Sequence, residues 1–468
     1  VNAKSSQRNL GRRGIALLAA LIFIVLFSAF SIGVLSLSTA NVQTASNHHT
    51  SNLARSSAES GLEYVRYWFS GVSLPGTIAA EQRFVFFADE LESILQDYDI
   101  PYENLVEDQL FRIGTAESPI LLQAGPERSF YAEIRPLGTE RIRVWICGRA
   151  GEFERTIRAD FAYGTRRHSV FDFGVATKGP LGLWGNIQIE GVNISVESDV
   201  YIESENQNNA LTIVGNSQIA GDVKIVNSNA VVTLQGGKAG IGGETGQAAI
   251  DHHVQTGVPA TEFPYPNTDY FEQYVDGITI TSANKSSYSS NTTLENVRIA
   301  ANTNPAFSGN VTLKGVVFIE YPNQVVFTGN TDVIGIIIGD GDLNDHSGTS
   351  KIEFRGNVSS RSVSELPEEQ FGDLTRETGT FLMAPGFAVS FGGSFDTLNG
   401  CIAANGVTFY GNAGGVIGGS VINYSPTLMT LTGNADLYFN RTGITSLPAG
   451  FFPEIVIHYD SSSYLEIP

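Results

Sequence analysis

The residues best suited to chemistry lie in IGDGDLNDHSG, where Asp340, Asp342, Asn344 and Asp345 follow one another around a Gly-rich turn. Oxygen-bearing side chains across a tight loop suit Ca²⁺, which takes roughly six to eight such ligands. The match to an EF-hand loop is incomplete, because Gly is absent from the sixth loop position and no Glu closes the set. The competing reading is a solvated acidic turn. His48-His49 and His252-His253 are adjacent in the chain, so the rings of each pair do not easily share one metal. Cys147 and Cys401 are the only cysteines, and their apolar surroundings, RVWICGR and LNGCIAA, read as two buried thiols in preference to a disulfide. The Gly-rich GGKAGIGGETG at 236–246 lacks the GK[ST] ending of a phosphate loop and reads as a corner. No GxSxG, HExxH or CxxC string occurs. The chain is therefore expected to have no catalytic residues and, calcium apart, no cofactor.

The formal net charge is −20, and it is unevenly spread. Residues 171–468 carry eleven Lys/Arg against thirty Asp/Glu, which leaves no basic patch for nucleic acid. A short basic cluster, Lys4, Arg8, Arg12 and Arg13, stands instead at the start, in VNAKSSQRNLGRRG. An apolar run from Ile15 to Leu37 follows, long enough to cross a bilayer as a helix. It continues through a Ser/Thr/Ala/Asn-rich stretch into LARSSAESGLEYVRYWF, where Ala54, Ala58, Leu62, Val65 and Phe69 share one helical face. No proline interrupts the chain before Pro75, so Ile15–Phe69 reads as one helix of roughly 80 Å. A secretory signal peptide has a shorter apolar region, and a plain single-span anchor has no need of the amphipathic half. Lys4, Arg8, Arg12 and Arg13 place the leader in the cytoplasm and the bulk of the chain outside it.

A basic leader ending in Gly14, an uncharged apolar helix and the AESGLE string at 58–63 resemble the type IV pilins and pseudopilins, PilX-type minor pilins most and the K-type pseudopilin second. The resemblance covers about the first 70 residues. It implies that a prepilin peptidase cuts between Gly14 and Ile15 and methylates the new N-terminus. It also implies a protein held in the inner membrane, with its C-terminal region periplasmic or displayed on a fibre. Other pilins or pseudopilins would be its partners. Major pilins carry Glu at the fifth mature position, where this chain has Ala19. That Glu neutralises a neighbour's terminal ammonium inside an apolar fibre core, where an unpaired charge is costly. Its lack is what the family shows in subunits proposed for a fibre tip.

Beyond the helix, Ala79–Asp99 reads as a second, amphipathic helix, and 98–125 as loop-like. SFYAEIRPL, RIRVWICGR and FERTIRADFAYG read as antiparallel strands, with Ile142, Val144 and Ile146 on one face. Arg141, Arg143, Arg155 and Arg158 are expected to pair with Glu133, Glu152 and Glu154 across them. From Val170 the texture changes to short apolar runs divided by turns. Gly-Asn recurs at 185, 215, 309, 329, 356, 411 and 433, with two spacings near the twenty residues of a β-solenoid turn. The expected fold is α+β: a leader at 1–14, the long helix at 15–70, a small module with an antiparallel sheet at 71–169, and a large all-β domain at 170–468. A right-handed parallel β-helix is the first choice for that domain and a β-sandwich the second. Excursions are expected near 252–277, with a short helix at 269–275, and at 362–379, acidic and exposed. Phe263, Tyr265, Tyr270, Phe271 and Tyr274 suit either a satellite core or a sugar-stacking platform. The functional expectation is a display module for adhesion or partner binding, a glycan or surface among the ligands. Its rival is a membrane-anchored protein that binds or degrades polysaccharide.

Overall fold

The computed structural model describes residues 11–123, 128–204 and 208–467. Its two compact units are residues 1–74, 78–164 and 455–468, and residues 75–77 and 165–454.

In the first unit a single helix, Gly11–Gly71, runs without interruption. Its second half buries the stripe read from the sequence: Ala54, Ala58, Leu62, Val65 and Phe69 are all in the core. They lie on a sheet built from Arg128–Pro136, Arg141–Ala150 and Phe153–Arg166, paired antiparallel in that order. The small residues set the approach. A Cβ on Gly148 would fall 2.1 Å from the Ala58 amide nitrogen, so only glycine admits the helix backbone there. Phe69 then meets Phe87 edge-on, and Phe87 belongs to a second helix, Arg83–Asp97, entered through the turn Ala80–Gln82. The stretch 98–125 is not plain loop. It forms the hairpin Tyr102–Leu105 and Leu110–Ile113, whose Leu110, Phe111 and Ile113 are buried.

The last strand, Glu454–Ile467, belongs to this unit and not to the large β region. It lies between Phe153–Arg166 and the short strand Ser73–Leu74. The expected charge pairs are re-sorted accordingly. Arg141 reaches Asp460 on the last strand at 3.3 Å, and Arg143 grips Asp160 with two bonds of 2.7 and 2.8 Å. Glu133 pairs with Arg112 and Glu154 with Arg149.

The second unit is therefore an insertion between two strands of the first. Its chain passes three parallel ladders in turn. Val175–Thr177, Leu181–Gly185 and Gln188–Gly191 start the first, second and third. Val200–Ile202, Asn209–Gly215 and Gln218–Ile219 then pair with them in register. The order of turns does not follow the sequence. Val175–Thr177 pairs with Val200–Ile202 on one side and with Val421–Asn423, from the last turn, on the other. The chain enters mid-stack, winds outward to Val254–Thr256, and restarts at the opposite end with Thr279–Ile280. It then winds back until its last turn closes on its first. The crossover 257–278 thus covers ten strand spacings of the first ladder, about 48 Å.

Inside, like side chains stack on like. Phe307, Phe327, Phe354, Phe391 and Phe409 form a continuous column in the second ladder, with ring centroids 4.9–5.2 Å apart. At the corners, Gly185 has φ +128°, and a Cβ there would fall 2.2 Å from the Gly433 carbonyl oxygen. This is why Gly precedes Asn so often. The exposed asparagines then bond from turn to turn, Asn216 to Asn186 at 2.7 Å and Asn186 to Asn434 at 2.9 Å.

The first ladder is buried on both faces. Its outer column runs Phe318, Ile338, Met383, Ala403, Ile422, Ala176 and Tyr201. Phe263 and Phe271 of the crossover, in which residues 269–274 form a 3₁₀ turn, pack against this column. Among the five aromatics of that segment Phe263 and Phe271 are buried, whereas Tyr265 is exposed. The stretch 362–379 is acidic and largely exposed, as its sequence implies, while its Val363, Leu366, Phe371 and Leu374 join the same outer core. Its acidic residues face water while its apolar ones shield the ladder.

Candidate functional surfaces

The first surface is the long helix. Every large apolar side chain from Leu17 to Leu37 is exposed, whereas the 54–69 stripe is buried. Ala16–Gly71 is long and apolar enough to cross a membrane, with no burial of its most apolar window. Ala19 is half-buried within it. Residues 1–10 of the expected leader, and the side chains of Gly14 and Ile15, lie outside the described residues. One continuous helix thus carries two different solvents' worth of surface, apolar at the start and amphipathic at the end.

The second site is the junction of the insertion's first and last turns. Glu197 is buried there and accepts bonds from both sides. Its Oε2 takes the Asn193 amide at 2.7 Å, and its Oε1 takes the Thr442 amide at 2.8 Å and the Thr442 hydroxyl at 2.6 Å. Burial opposes the charge, but the Thr442 and Asn193 donors and the Arg441 amide outweigh it and hold the carboxyl down at about 2. Arg441 returns the contact through its guanidinium, donating to the carbonyls of Glu197, Val196 and Phe171. Nearby, Glu454 is buried against His168 and Arg166, at 3.2 and 2.7 Å. Burial raises its carboxyl pKa, yet the His168 and Arg166 contacts prevail and leave it lowered. The two ends of the insertion are pinned to each other by this trio. None of it was legible in advance, since these partners stand more than 240 residues apart.

The acidic turn is placed differently from a ligand shell. Asp340 accepts from Thr268, Asp342 caps the Asn344 amide, and Asp345 accepts from Tyr321 and the Ser347 amide. Each carboxylate is engaged by its own loop or a neighbour. Among the described residues no group of three His, Cys, Asp or Glu is arranged to hold a metal ion. His252 and His253 diverge to separate partners, Glu244 and Asp222. Cys147 and Cys401 are buried free thiols, and burial pushes the Cys401 thiol up to about 12. An open groove of about 620 Å³ crosses four turns beside Asn310, Asn330, Asp332, Ser359, Ser394 and Asp396.

No family model matches the sequence, and no curated protein matches it. Among solved structures, the chain is similar to the competence-associated pilin ComZ from Thermus thermophilus, with 13% identity and a TM-score of 0.28, over 89% of this chain and 97% of that one. It is also similar to an ice-binding protein from the Antarctic ascomycete Antarctomyces psychrotrophicus, with 12% identity and a TM-score of 0.19, over 57% of this chain and 94% of that one.

Proposed function

We propose that this chain is a minor pilin or pilus-assembly subunit of a type IV pilus or type II secretion-like system, cut after Gly14 and displaying its insertion outside the inner membrane. The observation that carries the reading is the unbroken helix, wholly exposed and apolar over 17–37 and buried on an antiparallel sheet over 54–69. A helix of that kind has no stable home in water along its first half. A membrane before assembly, and neighbouring pilin helices after it, supply one. Ala19 removes the acid that shaft subunits use, which favours a tip or initiating position. The insertion is read as a right-handed parallel β-helix, supported by its three parallel ladders and stacked interior columns, and its role is adhesion or partner binding without catalysis. Prepilin peptidase and other pilins are the implied partners.

Mass spectrometry of the mature N-terminus tests the reading. The expected species starts at Ile15 with a methylated amine. A protein that keeps the leader after co-expression with a prepilin peptidase would overturn it.

A further inference from the structure

One strand at the end of the insertion is left without a neighbour. Val231–Gln235 closes the second ladder and pairs only with Asn209–Gly215. On its other side its backbone N–H and C=O groups bond to no group of the protein among the described residues. The interior columns that end on it are also incomplete. Met429, Leu181 and Leu211 are buried and lead in register to Val232, and Leu431, Leu183 and Ile213 are buried and lead to Leu234. Val232 and Leu234 are only half-buried, and Val231 is 46% exposed. Each column stops one apolar side chain short.

An exposed edge is a template for another chain, and proteins guard such edges with charge, proline, brevity or a cover. The neighbouring ends of this stack are guarded. Gly240–Ile241 of the third ladder is covered by the antiparallel Glu244–Thr245. Val254–Thr256 of the first ladder is short and follows Asp251, His252 and His253. At the far end of the second ladder, Ala306 and Phe307 stand behind Pro305, and Phe307 is buried. Val231–Gln235 has none of these devices. Between Ala230 and Gly237 there is no charge and no proline, and Val223–Gly243 holds no Asp or Glu in a chain that has 48. The shape of this end selects what can fill the edge. The helix Gly246–His253 buries Ala249 in the end of the core and packs against Gly240–Ile241, Glu244–Thr245 and Val254–Thr256. A helix about 10 Å across stands higher than one strand spacing of about 4.8 Å. It therefore holds off the flat end of a second stack and leaves room beside it for one extended strand. Backbone groups fix that strand, and the open columns demand apolar side chains at alternate positions.

We infer that Val231–Gln235 is a docking edge that takes an extended, proline-free segment of a partner protein as the next strand of the second ladder, with apolar side chains over Val232 and Leu234. The inference rests on the partner-binding reading above and gives it a site and a partner chemistry. The probe is a synthetic peptide with the sequence of residues 208–216, NNALTIVGN, whose strand already fits the inner side of this edge. It is labelled with fluorescein and titrated with the full chain in detergent micelles. Saturable anisotropy is expected, together with slower amide exchange at 231–235 and unchanged exchange at 254–256. A scrambled peptide of the same composition should not bind. Val232→Ser with Leu234→Ser removes the ends of both columns and should weaken binding about tenfold. Val231→Lys with Gln235→Lys, at exposed positions that leave the columns in place, should weaken it too while circular dichroism stays unchanged. No saturable binding, equal binding of the scrambled peptide, or equal binding by both double variants would overturn the inference. So would concentration-dependent dimers of the full chain that protect 231–235 without peptide, since the edge would then belong to a second copy. The N-terminal mass of the same preparation reports on pilin processing separately, so a failure of the docking edge and a failure of the fibre reading are told apart.

Discussion

Two parts of the insertion have the same backbone geometry and different origins. Between Phe391 and Phe409, as elsewhere in the second half, turns that pair are neighbours in sequence. At the junction of the first and last turns, Leu183 pairs with Leu431 across nearly the whole insertion. The local turns are held by a stack of phenylalanine rings. In the same ladder the junction has Leu181, Leu183, Met429 and Leu431 inside, and the junction adds a buried carboxylate and an arginine that reach across. Ordinary solenoids are quasi-one-dimensional, and their end turns fray independently. Here the middle of the stack is completed only when the last turn arrives, so the interior of the pile depends on the most distant contact in the sequence. Loop closure of that length costs conformational entropy before any contact rewards it.

The largest effect expected is on the local side of this contrast. Phe354→Ala empties the centre of the ring column and should lower unfolding free energy by about 3–5 kcal/mol. Chemical denaturation followed by circular dichroism measures it, and a loss below 1 kcal/mol would mean that the column relaxes around the gap. Glu197→Gln comes next, at about 2–3 kcal/mol, because it weakens charge-assisted bonds to both turns. Hydrogen exchange should show the amides of Leu183 and Leu431 losing protection together, with Phe391 and Phe409 less affected.

The same residue makes a pH prediction. Glu197 is held at about 2 in the folded chain and titrates near 4.3 when unfolded. Its contribution is complete above the unfolded value and is lost as pH falls toward the folded one. Stability should therefore decline from about pH 4.5 to pH 2, less steeply in Glu197→Gln. The smallest effect is expected of Asn434→Ala, an exposed rung of the corner ladder, at about 0.5 kcal/mol. A double-mutant cycle with Asn186→Ala would show whether the amide ladder couples the two turns at all.

The parts of this architecture that were legible in the sequence are those fixed by local chemistry. The apolar helix and its 54–69 stripe follow from periodicity, and the three central strands from alternation. The Gly-Asn pairs announced corners because glycine alone tolerates the carbonyl of the next turn. What stayed hidden is pairing at a distance. Glu454–Ile467 has the same alternating look as a solenoid strand, and nothing in it says that its partner is Phe153–Arg166. The mid-stack entry leaves no periodic trace, since a strand's edges carry no record of which neighbour fills them. The excursion at 362–379 is largely exposed, as its charges imply, but the charges gave no sign that its four apolar residues cover the ladder. The better signal lay elsewhere, in continuous apolar runs such as FLMA at 381–384, which a one-sided ladder has no use for. The Thr and Ser residues that share the outer face of the second ladder are scattered in sequence from Thr212 to Thr432 and become columns only through register.

The pinned ends of the insertion have a mechanical consequence. Apart from its short segment 75–77, the second unit is entered near Thr165 and left near Glu454, and so does not hang on one linker. A single proteolytic nick at either crossing leaves the second unit attached by the other, with Arg166, His168 and Glu454 still holding the cut ends in place. A pull on the second unit is likewise divided between two strands.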